Sequence, residues 1–283
     1  MNYNSPKDII RLLAEKGFTP QKKFGQNFLV SGSVREQIVS AIDLRSSHKV
    51  WEIGPGLGSI TELILEKISP ESGGHLTVFE IDRGFAGLLD SLFKERIEIV
   101  AGDILKTWKN YSAENGMPDR IFGNLPYNTA SVMIASFIEE SFIPEKMVFT
   151  VQKEVAQRMV SSPGVKGYSS FSVLCQLACN VKIESEIKGG AFYPAPDVTS
   201  AIVSMTPHRK YDHIKNRKEF SRFLRMLFNS RRKTIFNNLK TIGKDEAEAV
   251  LEDEGISPGI RAEKLDPDQI VSLFTKVNQK VNS

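Results

Sequence analysis

Cysteine is nearly absent: the 283 residues hold two, Cys175 and Cys179, four apart in an apolar stretch. With no CxxC pair or histidine cluster beside them, they exclude a disulfide scaffold and a thiolate metal site, and they read as buried packing residues. No run approaches the ~18 consecutive apolar residues of a membrane span. The opening MNYNSPKDIIRLLAEKG has no apolar signal-peptide core, so a cytoplasmic protein with no membrane association is expected. Internal repeats, low-complexity tracts and heptad runs are missing as well, which excludes solenoids and coiled coils.

What remains is an average globular composition, 41% hydrophobic and 25% charged, in a length that suits one large or two ordinary domains. The net charge of +3 hides an uneven distribution. From Pro207 to Lys240 eleven basic residues face two acidic ones, a local charge of +9, while the last 43 residues carry −4 and residues 1–206 carry −2. A concentrated basic stripe invites a polyanion, although a solvated helix face has the same composition.

Strand-length apolar runs alternate with helical patterns over the first two hundred residues, which signals βαβ units. Strands are expected at His48–Ile53, His75–Phe79, Ile97–Val100, Arg120–Phe122 and Met147–Val151, with Val181–Ile187 and Ser200–Met205 pairing as an antiparallel hairpin at the sheet edge. After Met205 the pattern predicts only helices, over 218–227, 232–239, 245–254 and 267–280. The expected architecture is an α/β domain over 1–206 and a basic helical domain over 207–283.

Four signals fall where such a sheet places its ligands, after the strands. In EIGPGLG a buried strand turns through Gly54 and Gly56 into a helix, a turn that holds nucleotides or nucleoside-like ligands. A dinucleotide fingerprint needs glycine where Ser59 stands, and Pro55 removes one backbone donor, so a ligand without phosphates is favoured. Glu80, in preference to Asp82, can accept both hydroxyls of a ribose, and Asp103 can accept from an adenine amino group. Asn124-Leu125-Pro126-Tyr127 decides the chemistry. The Asn124 side-chain oxygen and the Leu125 carbonyl can take the two N–H bonds of an adenine amine, which localises its lone pair. Pro126 restrains Leu125, and Tyr127 offers a face for a flipped-out base. Phe192 is the candidate for the base's other face, with Tyr193 as its competitor.

The segments KKFGQNFL (22–29), EIGPGLGSIT (52–61), FEID (79–82), GDIL (102–105), GNLPYN (123–128), TVQKEVAQRM (150–159), FYPAPDVTSAIV (192–203) and FNSRRKT (228–234) together resemble the small-subunit ribosomal RNA adenine dimethyltransferases. That resemblance implies a Rossmann-like class I methyltransferase sheet of seven strands with a small C-terminal helical domain, S-adenosylmethionine as methyl donor and no metal. It further implies methylation of N6 on two adjacent adenosines near the 3′ end of 16S rRNA, by a monomer acting on an immature small subunit. The family's cofactor contacts fall on Asn27, Leu29, Gly54, Gly56, Glu80, Asp103 and Asn124, and its RNA-facing helical domain on Arg222, Arg225, Arg231, Arg232 and Lys233. Competing readings are a non-catalytic assembly factor, an adenine DNA methyltransferase and, more distantly, a nicotinamide oxidoreductase. Gly84 and Gly87 depart from the family's helix formers and predict a weakened helix.

Overall fold

Buried strands and amphipathic helices follow one another along the chain. The computed structural model describes residues 2–18, 27–126 and 129–281. In chain order the elements are α1 (Pro6–Glu15), β1 (Phe28–Leu29), α2 (Gly32–Ile42), β2 (Lys49–Ile53), α3 (Thr61–Leu65), β3 (His75–Glu80), α4 (Arg83–Phe93), β4 (Glu98–Ala101), α5 (Ile104–Asn115), β5 (Arg120–Asn124), α6 (Ala130–Glu139), β6 (Lys146–Gln152) and α7 (Lys153–Met159). They continue with α8 (Ser170–Ala178), β7 (Cys179–Ile187), β8 (Phe192–Tyr193), β9 (Ser200–Pro207), α9 (Arg217–Leu227), α10 (Ile235–Leu239), α11 (Lys244–Asp253) and α12 (Pro267–Val281).

Seven strands form one sheet in the order β4-β3-β2-β5-β6-β9-β7, and β1 and β8 make a separate antiparallel pair. Strands β4, β3, β2, β5 and β6 are parallel, and β9 runs antiparallel to β6. From β2 to β6 the parallel strands are buried almost continuously, as a sheet covered on both faces requires. As expected, β7 and β9 pair with each other at the edge of the sheet. Strand β9, small and apolar along SAIVSM, lies between β6 and β7, and the outermost place goes to β7, whose exposed Asn180, Lys182, Glu184 and Glu186 suit a sheet edge.

Two compact units result: Met1–Met133, Ile143–Ala156 and Lys182–Pro207 make the first, and Ile134–Phe142, Gln157–Val181 and His208–Ser283 the second. They are not the two contiguous stretches 1–206 and 207–283. The reason is that α8 packs against α9 and α12, which draws residues 157–181 into the helical unit. Within the first unit, Ile38, Ile42, Val50, Leu76, Val78, Leu89 and Phe122 share one core. Trp51 packs 4.8 Å from Phe79 and 5.5 Å from Tyr111, ring to ring. The second tryptophan, Trp108 on α5, is buried in the same unit. In the second unit Phe220, Phe223 and Phe274 stack edge-on and tilted at the heart of the helices.

Local capping sets the helix starts. Asp82 caps α4 by accepting from Gly84 N and Phe85 N, and Thr234 caps α10 by accepting from Asn237 N. The helix expected over 232–239 therefore begins only at Ile235, and Arg231 to Lys233 form a turn. Helix α4 runs unbroken over Arg83–Phe93 despite Gly84 and Gly87. At Gly84 a Cβ would lie 2.6 Å from the Phe18 ring, so glycine there makes room for an aromatic contact that Phe18 continues onto Phe85 at 5.2 Å. Cys175 and Cys179 are buried and unpaired, as expected of packing residues. No helix among the described residues is long and apolar enough to cross a membrane.

Candidate active site

Strand order reverses between β2 and β5, and the loops leaving the carboxyl ends of β2, β3, β4 and β5 open a crevice there. One part of it is lined by Asn27, Phe28 and Leu29, by Gly54 to Leu57, and by Glu80, Asn124 and Pro126. A second cavity shares Gly54, Ile81 and Pro126 with it and continues to Gly102, Asp103 and Leu105.

The glycine turn after β2 is held from inside. Gly54, Gly56 and Gly58 have φ values of 66°, 57° and 83°, the left-handed region that glycine enters without strain. Gly54 N donates to the Phe79 carbonyl, Gly56 N to Glu80 Oε2 at 3.2 Å, and Gly58 N to the Pro55 carbonyl, while Pro55 has no N–H. With those donors engaged, the turn has little to offer a pyrophosphate.

Two carboxylates lie under this turn. Glu80 is 4% exposed, and burial pushes its carboxyl up to about 7 even though Asp82 N and Gly56 N hydrogen-bond the charged form, one on each oxygen. Glu52, 1% exposed on β2, is pushed up to about 8 by burial, against the Thr61 hydroxyl that donates to it at 2.6 Å. A cleft floored by two such acids suits hydroxyl donors, so S-adenosylmethionine fits better than a dinucleotide; Glu80 lines this cleft and Asp103 the adjoining cavity. Asp103 caps α5, with Oδ1 accepting from Leu105 N at 3.0 Å.

At the end of β5, Asn124 Nδ2 donates to the Asn27 carbonyl at 3.2 Å, which fixes the amide and leaves Oδ1 without a donor among the described residues. Leu125 N donates to the Thr150 carbonyl, so the main chain just past β5 is held in the extended ladder. The family description Ribosomal RNA adenine dimethylase matches residues 17–279, spanning all of these elements.

The chain belongs to the ribosomal RNA adenine dimethylase family.

Among curated relatives, the ribosomal RNA small subunit methyltransferase A of Treponema denticola is 45% identical over 93% of this chain and 92% of its own length. That of Borreliella burgdorferi is 43% identical over 84% and 82%, and that of Treponema pallidum 37% over 96% and 96%. Among solved structures, a dimethyladenosine transferase from Plasmodium falciparum has the same fold, with TM-score 0.74 and 24% identity over 89% of this chain and 98% of its own. The 23S rRNA methyltransferase ErmE also shares it, at 0.65 and 22% identity over 89% and 100%. The chain is thus an S-adenosylmethionine-dependent rRNA adenine dimethyltransferase on a class I methyltransferase fold.

Of the positions expected to hold the cofactor, Asn27, Leu29, Gly54, Gly56, Glu80 and Asn124 line the cleft and Asp103 the adjoining cavity. Leu125, the residue after Asn124, is 2% exposed. Tyr127 lies outside the described residues. Phe192 is 5% exposed and belongs to the core cluster with Ile38, Ile187 and Ile202, while its backbone pairs with Leu29. Its neighbour Tyr193, half-buried, packs on the cluster of Phe28, Leu57 and Phe85 at the cleft wall.

In the helical unit the basic residues divide. Arg231 donates to Glu263 at 3.1 Å and to the Lys166 carbonyl at 2.7 Å, and Arg225 donates to Glu139 at 2.9 Å, so both tie that unit together. Arg222, Arg232 and Lys233 are exposed and have no such partner among the described residues. Glu52 is the site residue that motif reasoning left without a role; a lone acid inside a strand that is otherwise apolar is the signal that marks it.

Proposed function

We propose that the chain, a cytoplasmic monomer, dimethylates N6 of two adjacent adenosines near the 3′ end of 16S rRNA within the immature small subunit. The observation that carries the reading is the pinned Asn124 amide at the end of β5, in the same cleft as Glu80 and the glycine turn. Bound there, S-adenosylmethionine supplies an electrophilic methyl group. Glu80 accepts from its ribose hydroxyls and Asp103 from its base, with Gly54 and Gly56 allowing close backbone approach.

The remaining task falls to Asn124 and Leu125. An adenine amine is a poor nucleophile because its lone pair is delocalised into the ring. Asn124 Oδ1 and the Leu125 carbonyl accept its two N–H bonds, pyramidalise the nitrogen and aim the lone pair, with no strong base required. The amine's proton is acidic only after methylation, when water can take it. Tyr127 serves as a stacking face, whereas Phe192, expected on the base's other face, is buried in the core cluster with its backbone paired to Leu29. Arg222, Arg232 and Lys233 face the phosphates.

The test is incubation with radiolabelled S-adenosylmethionine and small subunits lacking the modification, followed by nucleoside analysis, with naked 16S rRNA and DNA in parallel. Label in N6,N6-dimethyladenosine of the subunit's rRNA is expected. Preference for naked RNA would remove the immature-subunit substrate, and label confined to DNA would overturn the RNA assignment.

A further inference from the structure

The outer side of the glycine turn is held by residues that no cofactor motif contains. Tyr3, 4% exposed, donates its hydroxyl to the Leu57 carbonyl at 2.9 Å across 54 residues of sequence. Arg35 on α2, 7% exposed, donates through Nη1 to the Ser59 carbonyl at 3.4 Å and through Nη2 to Asn4 Oδ1 at 2.6 Å. Its guanidinium carbon stands 5.5 Å from the centre of the Tyr3 ring, within cation–π range. Gly32 leaves the space Asn4 needs, since a Cβ there would lie 2.9 Å from Asn4 Oδ1.

A buried arginine with no ion pair among the described residues is costly, and it is retained where its planar fork joins fixed acceptors. Here the fork joins the turn to the N-terminal segment. Leu57 and Ser59 both line the cleft, so the carbonyls being held are those of its wall. Three glycines at positive φ give this turn unusual freedom. Its amides at 54 and 56 are tied on the sheet side, and its carbonyls at 57 and 59 on the other.

We propose that Tyr3, Asn4 and Arg35 are positioning residues that clasp the cofactor turn in its binding conformation, so that the N-terminal segment sets cofactor affinity without touching the reacting atoms. The inference rests on the reading of this turn as the cofactor's seat. Tyr3→Phe removes one hydrogen bond and keeps the ring.

The full-length variant is titrated calorimetrically with S-adenosylhomocysteine, an unreactive probe, and assayed on unmodified small subunits at saturating S-adenosylmethionine. The dissociation constant is expected to rise about two- to tenfold, the range one net hydrogen bond supports, with kcat and the KM for subunits unchanged. Arg35→Lys, which cannot span both acceptors, is expected to show the same split and decides the matter should Tyr3→Phe fail to fold. An unchanged dissociation constant overturns the clasp whatever happens to Tm, and so does a loss of kcat as large as the loss of affinity. Failure of the wild-type chain to bind the probe would instead remove the cofactor seat, and the clasp with it.

Discussion

Replacing Glu52 by Gln should stabilise the cofactor-free protein, and by an amount that grows with pH. The buried Glu52 carboxyl titrates near 8 in the folded chain against an ordinary value of 4.5. Between those limits the folded state keeps a proton that the unfolded chain has released, so wild-type stability falls as pH rises through that window and levels off above about 8. Gln has no proton to lose and still accepts from the Thr61 hydroxyl. Each pH unit is worth about 1.4 kcal/mol, so the gap between variant and wild type should widen by about that much per unit, towards roughly 5 kcal/mol above pH 8. Glu80 also titrates high and loses stability in the same direction up to about 7 in both proteins, and its charge adds to the upward push on Glu52. Urea denaturation of both proteins at pH 5.5, 6.5, 7.5 and 8.5 measures the gap. A gap that stays constant with pH would show that Glu52 ionises normally in the fold and that the floor of the cleft is not the low-dielectric site inferred here.

Glu80 makes a second pH prediction: with its carboxyl near 7, S-adenosylhomocysteine should bind about tenfold more weakly at pH 6 than at pH 8 and release a proton on binding, and Glu80→Gln should remove that dependence on calorimetric titration. Asn124→Ala is expected to lower methyl transfer by about 100-fold or more while probe binding changes far less; equal rates in variant and wild type would sink the orienting role. Gly58→Ala must place a Cβ 2.4 Å from the Phe93 ring at a φ of 83°, and should cost about 2 to 4 kcal/mol in urea denaturation. Replacing Arg222, Arg232 and Lys233 together by Ala should reduce the slope of log affinity for rRNA against log salt by about 2 to 3, whereas Arg231→Ala should lower Tm through the loss of its Glu263 and Lys166 contacts. An unchanged salt slope would remove those three from the RNA face.

The parallel half of the sheet was legible because its strands are apolar on both faces and end in glycine, acid or Asn-Pro signals, and local composition determines each of these. The pairing of β7 with β9 at the sheet edge was legible as well, whereas the placing of β9 against β6 with β7 outermost is a choice among long-range partners that only relative burial decides. The same limit hid the roles of single residues. Arg231 reads as one of three consecutive cations, and its partner Glu263 lies 32 residues onward. Helix α10 starts later than its composition suggests because the cap at Thr234 outranks the helix-favouring Arg-Arg-Lys before it. The cofactor positions were legible as motifs, yet the high titration of Glu52 and Glu80 depends on how completely the fold covers them. Tyr3 and Arg35 carry no motif at all, because the groups they hold are backbone carbonyls.

The placement of Trp51 and Trp108 gives the two compact units different optical visibility. Both tryptophans belong to the sheet unit, and the helical unit has tyrosines such as Tyr168 and Tyr211 but no tryptophan. Emission excited at the red edge of indole absorption therefore reports on the sheet unit alone, whereas far-ultraviolet circular dichroism is weighted towards the helices. A denaturation curve that coincides in both signals means that the units unfold as one cooperative system, and curves that separate assign a stability to each unit in a single experiment on the intact chain.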